Sequence, residues 1–422
     1  MSVTQEELGR RLRAAREACG MTQDEVSQHL GLSRPTVAQI ELGNRTVSGL
    51  ELDRLAYLYG RAMGDFFQEQ FEDEDVLAAI FRAHPEVTSR PEVAASLRQC
   101  LALGREVTGL ERFLELDTER PMAARYTLSA PRTKMGAIVQ GIRIAEDERR
   151  RLGIGVAPIT EMAALLESQG VRTAVVDLPD EVSGITLCPA GVGPFVVVNR
   201  MHRFPRWAFS YAHEYAHVLL DRERMGTVSR SSEYGAKIEL RANSFAASFL
   251  MPAEGVRQFM GSLGKGHESR RSAEVYGVGS VLHARGRPEP GSQDIQIYDV
   301  ALLARHFGVS RICALYHLLS LRLITRPELE RLKGLDETGR GQEAARILGL
   351  PDLDQEAASD AFRQRFLALA LEALRREKIS SGKFRELGWM AGMSTDDIER
   401  LLEDFDWRVF EVVEALLPGL PA

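Results

Sequence analysis

Residues 213–217 read His-Glu-Tyr-Ala-His. On a helix, positions i and i+4 share one face, so both imidazoles can meet one ion while Glu214 reaches a water beside it. That is the chemistry of metal-assisted hydrolysis. A catalytic zinc takes three protein ligands and keeps one position open. Glu239, in the stretch Ile238-Glu239-Leu240-Arg241-Ala242-Asn243, supplies a third candidate. Ala242, Phe245, Ala246, Phe249 and Leu250 would pack its helix and hold the carboxylate rigidly. Asn243, one turn on, shares its face and can orient a ligating imidazole. The candidate metal ligands are His213, His217 and Glu239, for Zn2+, and Glu214 is the candidate catalytic residue. Tyr215, Tyr234 and His202 are the side chains considered for oxyanion stabilisation, and none is singled out. Cys100 and Cys188 are weighed as inhibitory thiolates, with a buried free thiol the plainer reading.

A second constellation opens the chain. Thr22-Gln23, Gly31-Leu32-Ser33, Val37, Ile40-Glu41 and Gly43 space two short helices around a tight turn. Val26, Leu30, Leu32, Val37 and Ile40 would hold their angle. The second helix can then enter a major groove ~12 Å wide with its first turn on base edges. That turn carries Arg34, Pro35 and Thr36, with Gln39 one turn on. Arg suits guanine and Gln suits adenine as bidentate partners. Gln23 at a helix N-terminus is placed to meet a phosphate, as are Arg45 and Arg10 or Arg11.

These residues need rigid elements behind them. An apolar helix from Trp207 to Leu220 follows the strand-like FVVVN, and RTAVVDLP and GITLCPA read as two further strands. Phe195–Asn199 is expected to be an edge strand that holds a substrate backbone by strand addition. The order of patterns divides the chain into a helix-turn-helix domain over 1–68, a helical connector over 69–130 and a metal-site domain over 131–265. A loop-rich linker over 266–297 and a helical region over 298–422 follow. Residues 299–324 again show two helices about Gly308; packing is favoured there over a second DNA-binding element.

Apolar residues make up 44% and charged residues 27%, so the chain can bury sizeable cores and is not a disordered or disulfide-built protein. Fifty-three Lys and Arg against sixty Asp and Glu leave −7, so DNA binding must rest on a local patch. The four cysteines show no CxxC spacing, and the N-terminal residues carry no apolar signal. Gly and Pro interrupt the uncharged run 182–199, which therefore cannot span a membrane as a helix. A soluble cytoplasmic protein is expected.

The first 60 or so residues, through TQDEVSQHLGLSRPTVAQIELGNR and LDRLAYLYG, resemble the lambda-repressor-like (XRE) family. The stretches IVQGIRIAEDERRRLGIGVAPITEMAALLESQGV, VVVNRMHRFPRWAFSYAHEYAHVLLDRE and IELRANSFAASFLMP resemble the ImmA/IrrE metallo-endopeptidases. The resemblance implies a zincin-like (gluzincin) α+β domain, one zinc on His213, His217 and Glu239, and Glu214 as general base. It also implies cleavage of a DNA-binding repressor in a stress, phage-defence or mobile-element response. The fold class expected is mostly α and multidomain: an all-α helix-turn-helix, the central α+β domain and an all-α C-terminal region. The partners expected are a double-stranded DNA operator and a protein substrate, a helix-turn-helix repressor, with no membrane and a homodimer as a possible assembly. A regulator that senses through the metal domain without proteolysis, and the toxin of a toxin–antitoxin pair, are the alternatives.

Overall fold

Short polar residues in extended conformation open the first helices. Thr4 caps α1 (Gln5–Ala18), Thr22 caps α2 (Gln23–Leu30) and Ser33 caps α3 (Arg34–Glu41), each side-chain oxygen accepting a backbone N–H of the first turn. Thr22 and Glu25 close a reciprocal capping box, and Gly31 ends α2 in the left-handed region at φ 67°. With α4 (Gly49–Tyr59) and a 3-10 turn (Met63–Phe67), these helices bury Leu12, Val26, Val37, Ile40, Leu55 and Phe66. Buried Glu41 ties three of them together, accepting from Arg16 Nε at 2.6 Å and from Gln23 Nε2 at 2.8 Å.

The structure is a computed structural model. It describes residues 3–404 apart from 20, 60, 62, 68–90, 117–121, 190–191, 203, 223–225, 231–235, 266–270, 278–279, 287–290 and 351–360. The connector is thus described from α5 (Pro91–Phe113) onward, and the sequence FEDEDVLAAIFRAHPEV lies outside the described residues.

Helices α6 (Lys134–Arg151) and α7 (Met162–Ser168) lead into β1 (Arg172–Val176), β2 (Val182–Leu187) and β3 (Phe195–Asn199). Then come α8 (Phe204–Leu220), β4 (Gly226–Arg230), α9 (Lys237–Leu250) and α10 (Ala253–Ser262). The strands lie in the order β1-β3-β2-β4, with β1 parallel to β3 and the other pairs antiparallel. Phe195–Asn199 is therefore an inner strand and not the edge that the sequence suggested. All five of its residues are buried, which explains its continuous apolar run. The edges are β1 and β4, and β4 is not among the strands the sequence pattern predicts.

One face of the sheet, through Val196 and Val198, packs on α8 and α9 with Tyr215, Ala216, Phe245 and Phe249. The other face, through Ile185, Leu187, Phe195 and Val197, packs on Leu97 and Leu101 of α5 and on Phe366 and Phe384 from far along the chain. Residues 271–286, expected to be loop, form a hairpin of β5 (Arg271–Gly277) and β6 (Ser280–Gly286). The two strands pair antiparallel, from Arg271 opposite Gly286 to Gly277 opposite Ser280.

Helices α11 (Ile297–Phe307), α12 (Arg311–Ser320) and α13 (Arg326–Glu337) add Phe307, Leu315, Leu318 and Leu332 to the first core, and α14 (Arg340–Ile347) follows. The pair α11–α12 is packed, and Arg311 is bonded to Asp336. Helices α15 (Ala361–Arg375), α16 (Ser381–Met390) and α17 (Thr395–Asp404) line the second core. The architecture is mostly α, with helices before and after a small central sheet.

Candidate metal centre

Helix α8 carries His213 and His217 one turn apart, their ring centroids 5.0 Å from each other. Helix α9 brings Glu239 onto them. His213 Nε2 is 3.3 Å from His217 Nε2 and 3.1 Å from Glu239 Oε2, and His217 Nε2 is 3.5 Å from Glu239 Oε1. Ligands ~2.0–2.1 Å from one tetrahedral ion stand ~3.3 Å from each other, so these spacings are the edges of such a site. The far nitrogens are committed elsewhere. His213 Nδ1 donates to Asn243 Oδ1 at 3.0 Å and His217 Nδ1 to Asp221 Oδ2 at 3.0 Å. Both Nε2 atoms are thereby turned inward. Arg241 donates to Asp221 at 2.6 Å and completes the support.

The electrostatics ask for a cation. Burial disfavours a charged His217, but its bonds with Asp221 and Glu239 and the charge of Glu214 outweigh that and raise it to about 10. Burial likewise opposes charge on Glu239, yet the two histidines hold it down to about 2. Buried Glu239 Oε2 has no hydrogen-bond partner. A buried, ionised Glu239 facing two imidazole nitrogens, one of which holds an extra proton, suits a divalent ion of the zinc type taken up in exchange for that proton.

Glu214, fully buried, points under the sheet. Its Oε2 accepts the Thr186 hydroxyl at 2.6 Å, while Oε1 has no hydrogen-bond partner. A side chain at Gly184 would strike Oε1 at 2.6 Å, so this glycine leaves the carboxylate its room. Ser229 of β4 reaches His213 Nε2 at 3.1 Å. The Tyr215 hydroxyl does not face the metal site, because it donates to Glu148 at 2.5 Å on the far side of α8. His202 Nε2 lies 3.4 Å from the Asp180 carbonyl oxygen, and Tyr234 is outside the described residues. Burial pushes the Cys188 thiol up to about 11, which keeps it neutral and a poor ligand.

Residues 166–285 match the family model described as the IrrE N-terminal-like domain, of the M78 peptidases, and residues 7–65 match a model described as a helix-turn-helix domain. The chain joins a helix-turn-helix domain to an IrrE-like domain. The M78 peptidases are metallopeptidases, in keeping with the His-His-Glu cluster of this IrrE-like domain. No curated protein matches the chain. Among solved structures, ComR from Streptococcus suis is 12% identical, with 93% of this chain and 95% of that chain covered. Its TM-score is 0.16. Among the described residues, no helix is long and apolar enough to cross a membrane.

In the helix-turn-helix domain, Arg34 and Pro35 are exposed in the first turn of α3, and Gln39 is exposed one turn on. Arg34 Nε stands 3.8 Å from Asp24 Oδ2, an exposed pair that a base or phosphate can readily displace. Thr36 Oγ1 is 2.8 Å from Ser33 Oγ and belongs to the cap. Gln39 Oε1 accepts from Asn44 at 3.0 Å. Arg45 is paired with Glu51 at 2.9 Å, while Arg10 and Arg11 both bond Glu7. The Gln23 side chain is given to Glu41, so what it offers a phosphate is its backbone N–H at the start of α2.

Sequence reasoning gave no role to Asp221, Arg241, Thr186 or Ser229. Asp221 had a signal: it stands four residues after His217, where a carboxylate can take that ring's far N–H. Arg241 then follows from Asp221. The two hydroxyls carried none, because only strand pairing brings them under α8.

Proposed function

We propose that the chain is a zinc-dependent endopeptidase of gluzincin type that cleaves a helix-turn-helix repressor in the cytoplasm and is held near its operator by its own DNA-binding domain. The observation that carries the reading is the buried set His213, His217 and Glu239 beside a Glu214 carboxylate with one oxygen held and one unpaired. A zinc ion on those three ligands would supply Lewis-acid activation of a water and of the scissile carbonyl. Thr186 holds Glu214 Oε2, which leaves Oε1 to accept the proton of that water and pass it to the leaving amine. Asn243 and Asp221 keep the imidazoles in the tautomer that ligation needs. Among the described residues β4 is an edge strand next to His213, where an extended substrate segment can add as a strand. Arg34, Pro35, Thr36 and Gln39 read base edges, while Gln23 and Arg45 meet the backbone. The proposed limits are 1–68 for DNA binding and 131–265 for the peptidase unit.

A second reading has one observation in its favour. His213, Glu214, His217 and Glu239 are each no more than 4% exposed, which suits a regulator that senses through the metal centre without cleaving. Glu214→Gln separates the two. It keeps the ligand set, so zinc content and operator affinity should equal wild type. Cleavage of a helix-turn-helix repressor substrate should fall roughly 10²–10⁴-fold, the usual contribution of a general base. A mutant that still relieves repression in cells would overturn the peptidase reading.

A further inference from the structure

Among the groups around the metal centre, one has no role in the reading above. Ser229 lies on the edge strand β4, is wholly buried, and places Oγ 3.1 Å from His213 Nε2. That distance falls in the same range as the 3.1, 3.3 and 3.5 Å spacings among the three ligand atoms. Asn243 fixes the proton of His213 on Nδ1, so without a cation the Ser229 hydroxyl donates to the Nε2 lone pair. Once that nitrogen ligates a cation, the serine oxygen loses this partner while standing 3.1 Å from one of the ligand atoms.

The strand is built to aim this side chain. The pairing of β2 with β4 runs Val182 to Arg230 and then Gly184 to Ser229, which leaves Ser183 as an extra residue. Such a bulge bends the strand and redirects the neighbouring side chain. Ser183 Oγ donates to the Ser229 carbonyl at 3.2 Å and pins the arrangement. We propose that Ser229 Oγ supplies the fourth ligand of the metal centre and so closes it, making β4 a latch that must shift before a peptide reaches the ion. This rests on the metal-centre reading above. The burial of every group in the site is then the mark of the latched form. An edge strand is the element that can shift most cheaply, since it leaves behind hydrogen bonds to one neighbour only.

The test uses the full chain, stripped of metal and reloaded with cobalt(II), whose visible spectrum reports the ligand set. Ser229→Ala should change that spectrum and release cobalt to a chelator roughly 10–100-fold more readily. It should also bind acetohydroxamate, a ligand for an open metal position, about tenfold more tightly than wild type. Ser229→Cys should give a thiolate-to-cobalt charge-transfer band in the near ultraviolet, and this second variant keeps the test decisive if the first folds poorly. Cobalt bound normally, with no band in Ser229→Cys and unchanged spectrum and hydroxamate affinity in Ser229→Ala, would overturn the latch alone. A wild-type chain that takes up no cobalt would overturn the metal centre and the latch with it.

Discussion

Gly141 sits where α6 crosses α9, and the crossing sets where Glu239 and Asn243 stand. A methyl group on Gly141 would lie 2.3 Å from the Arg241 carbonyl oxygen and 2.9 Å from both Phe245 N and Ser244 Cβ. Carbon–oxygen contacts settle near ~3.3 Å, so Gly141→Ala must part the helices by ~1 Å. Overpacking typically costs 1–3 kcal/mol, and here backbone cannot swing aside as a side chain would, so the upper end applies. Replacing a helical Gly by Ala returns ~1 kcal/mol, leaving a net loss of about 2 kcal/mol. Gly109 on α5 is the control: it is also helical, but a methyl there meets nothing within 4 Å. Gly109→Ala should stabilise the chain by up to ~1 kcal/mol. Arg241 is two residues from Glu239, and coordination tolerates only ~0.2 Å, so Gly141→Ala should also weaken zinc binding. Urea denaturation of the metal-free chains and chelator competition would measure both effects. If Gly141→Ala proves as stable as Gly109→Ala and binds zinc like wild type, the crossing does not position the site.

Zinc uptake must displace the proton that His217 holds up to about 10. Its folded value lies above the ordinary 6.5, so the proton is kept at neutral pH and leaves only as pH rises. Apparent zinc affinity should therefore climb about tenfold per pH unit between ~6 and ~9, and a flat profile by chelator competition would refute this. His213→Ala or His217→Ala should empty the site, and unchanged zinc by metal analysis in either would refute the ligand assignment. Arg34→Ala should cost ~1–3 kcal/mol at the preferred operator and relax sequence preference at one position. Loss of sequence-independent affinity alone, measured against random duplex, would make Arg34 a phosphate contact.

The parts of the site that could be read from sequence are those governed by local periodicity. His213 and His217 meet because one helical turn separates them, and Glu239 was found because its helix is apolar on one side. Thr186 and Ser229 depend on which strands are neighbours, and β4 hides from pattern reading because GTVSR mixes Gly, Ser and Arg around a single apolar valine. The mistaken edge at Phe195–Asn199 had a warning in its own composition. An edge strand needs polar or charged residues to discourage further pairing, and FVVVN has none that is charged. The helix-turn-helix was legible because Gly31, the caps and the turn are all local. The commitment of Gln23 to Glu41 was not, because it joins residues 18 apart on different helices.

The sheet behind the metal centre is finished late in synthesis. Its second face is covered by α5, made before the strands, and by α15–α17, which leave the ribosome roughly 200 residues after β3. At typical rates of ~5–20 residues per second, that is about 10–40 s during which Ile185, Leu187, Phe195 and Val197 lack their final cover. A nascent chain in that interval presents an apolar strand surface, the kind of species that chaperones bind and that aggregates when crowded. A fragment cut after residue 350 would be arrested in that condition permanently. A stop codon or proteolytic nick between α14 and α15 would therefore disable the site from behind, through the solubility of the sheet, with every ligand still encoded.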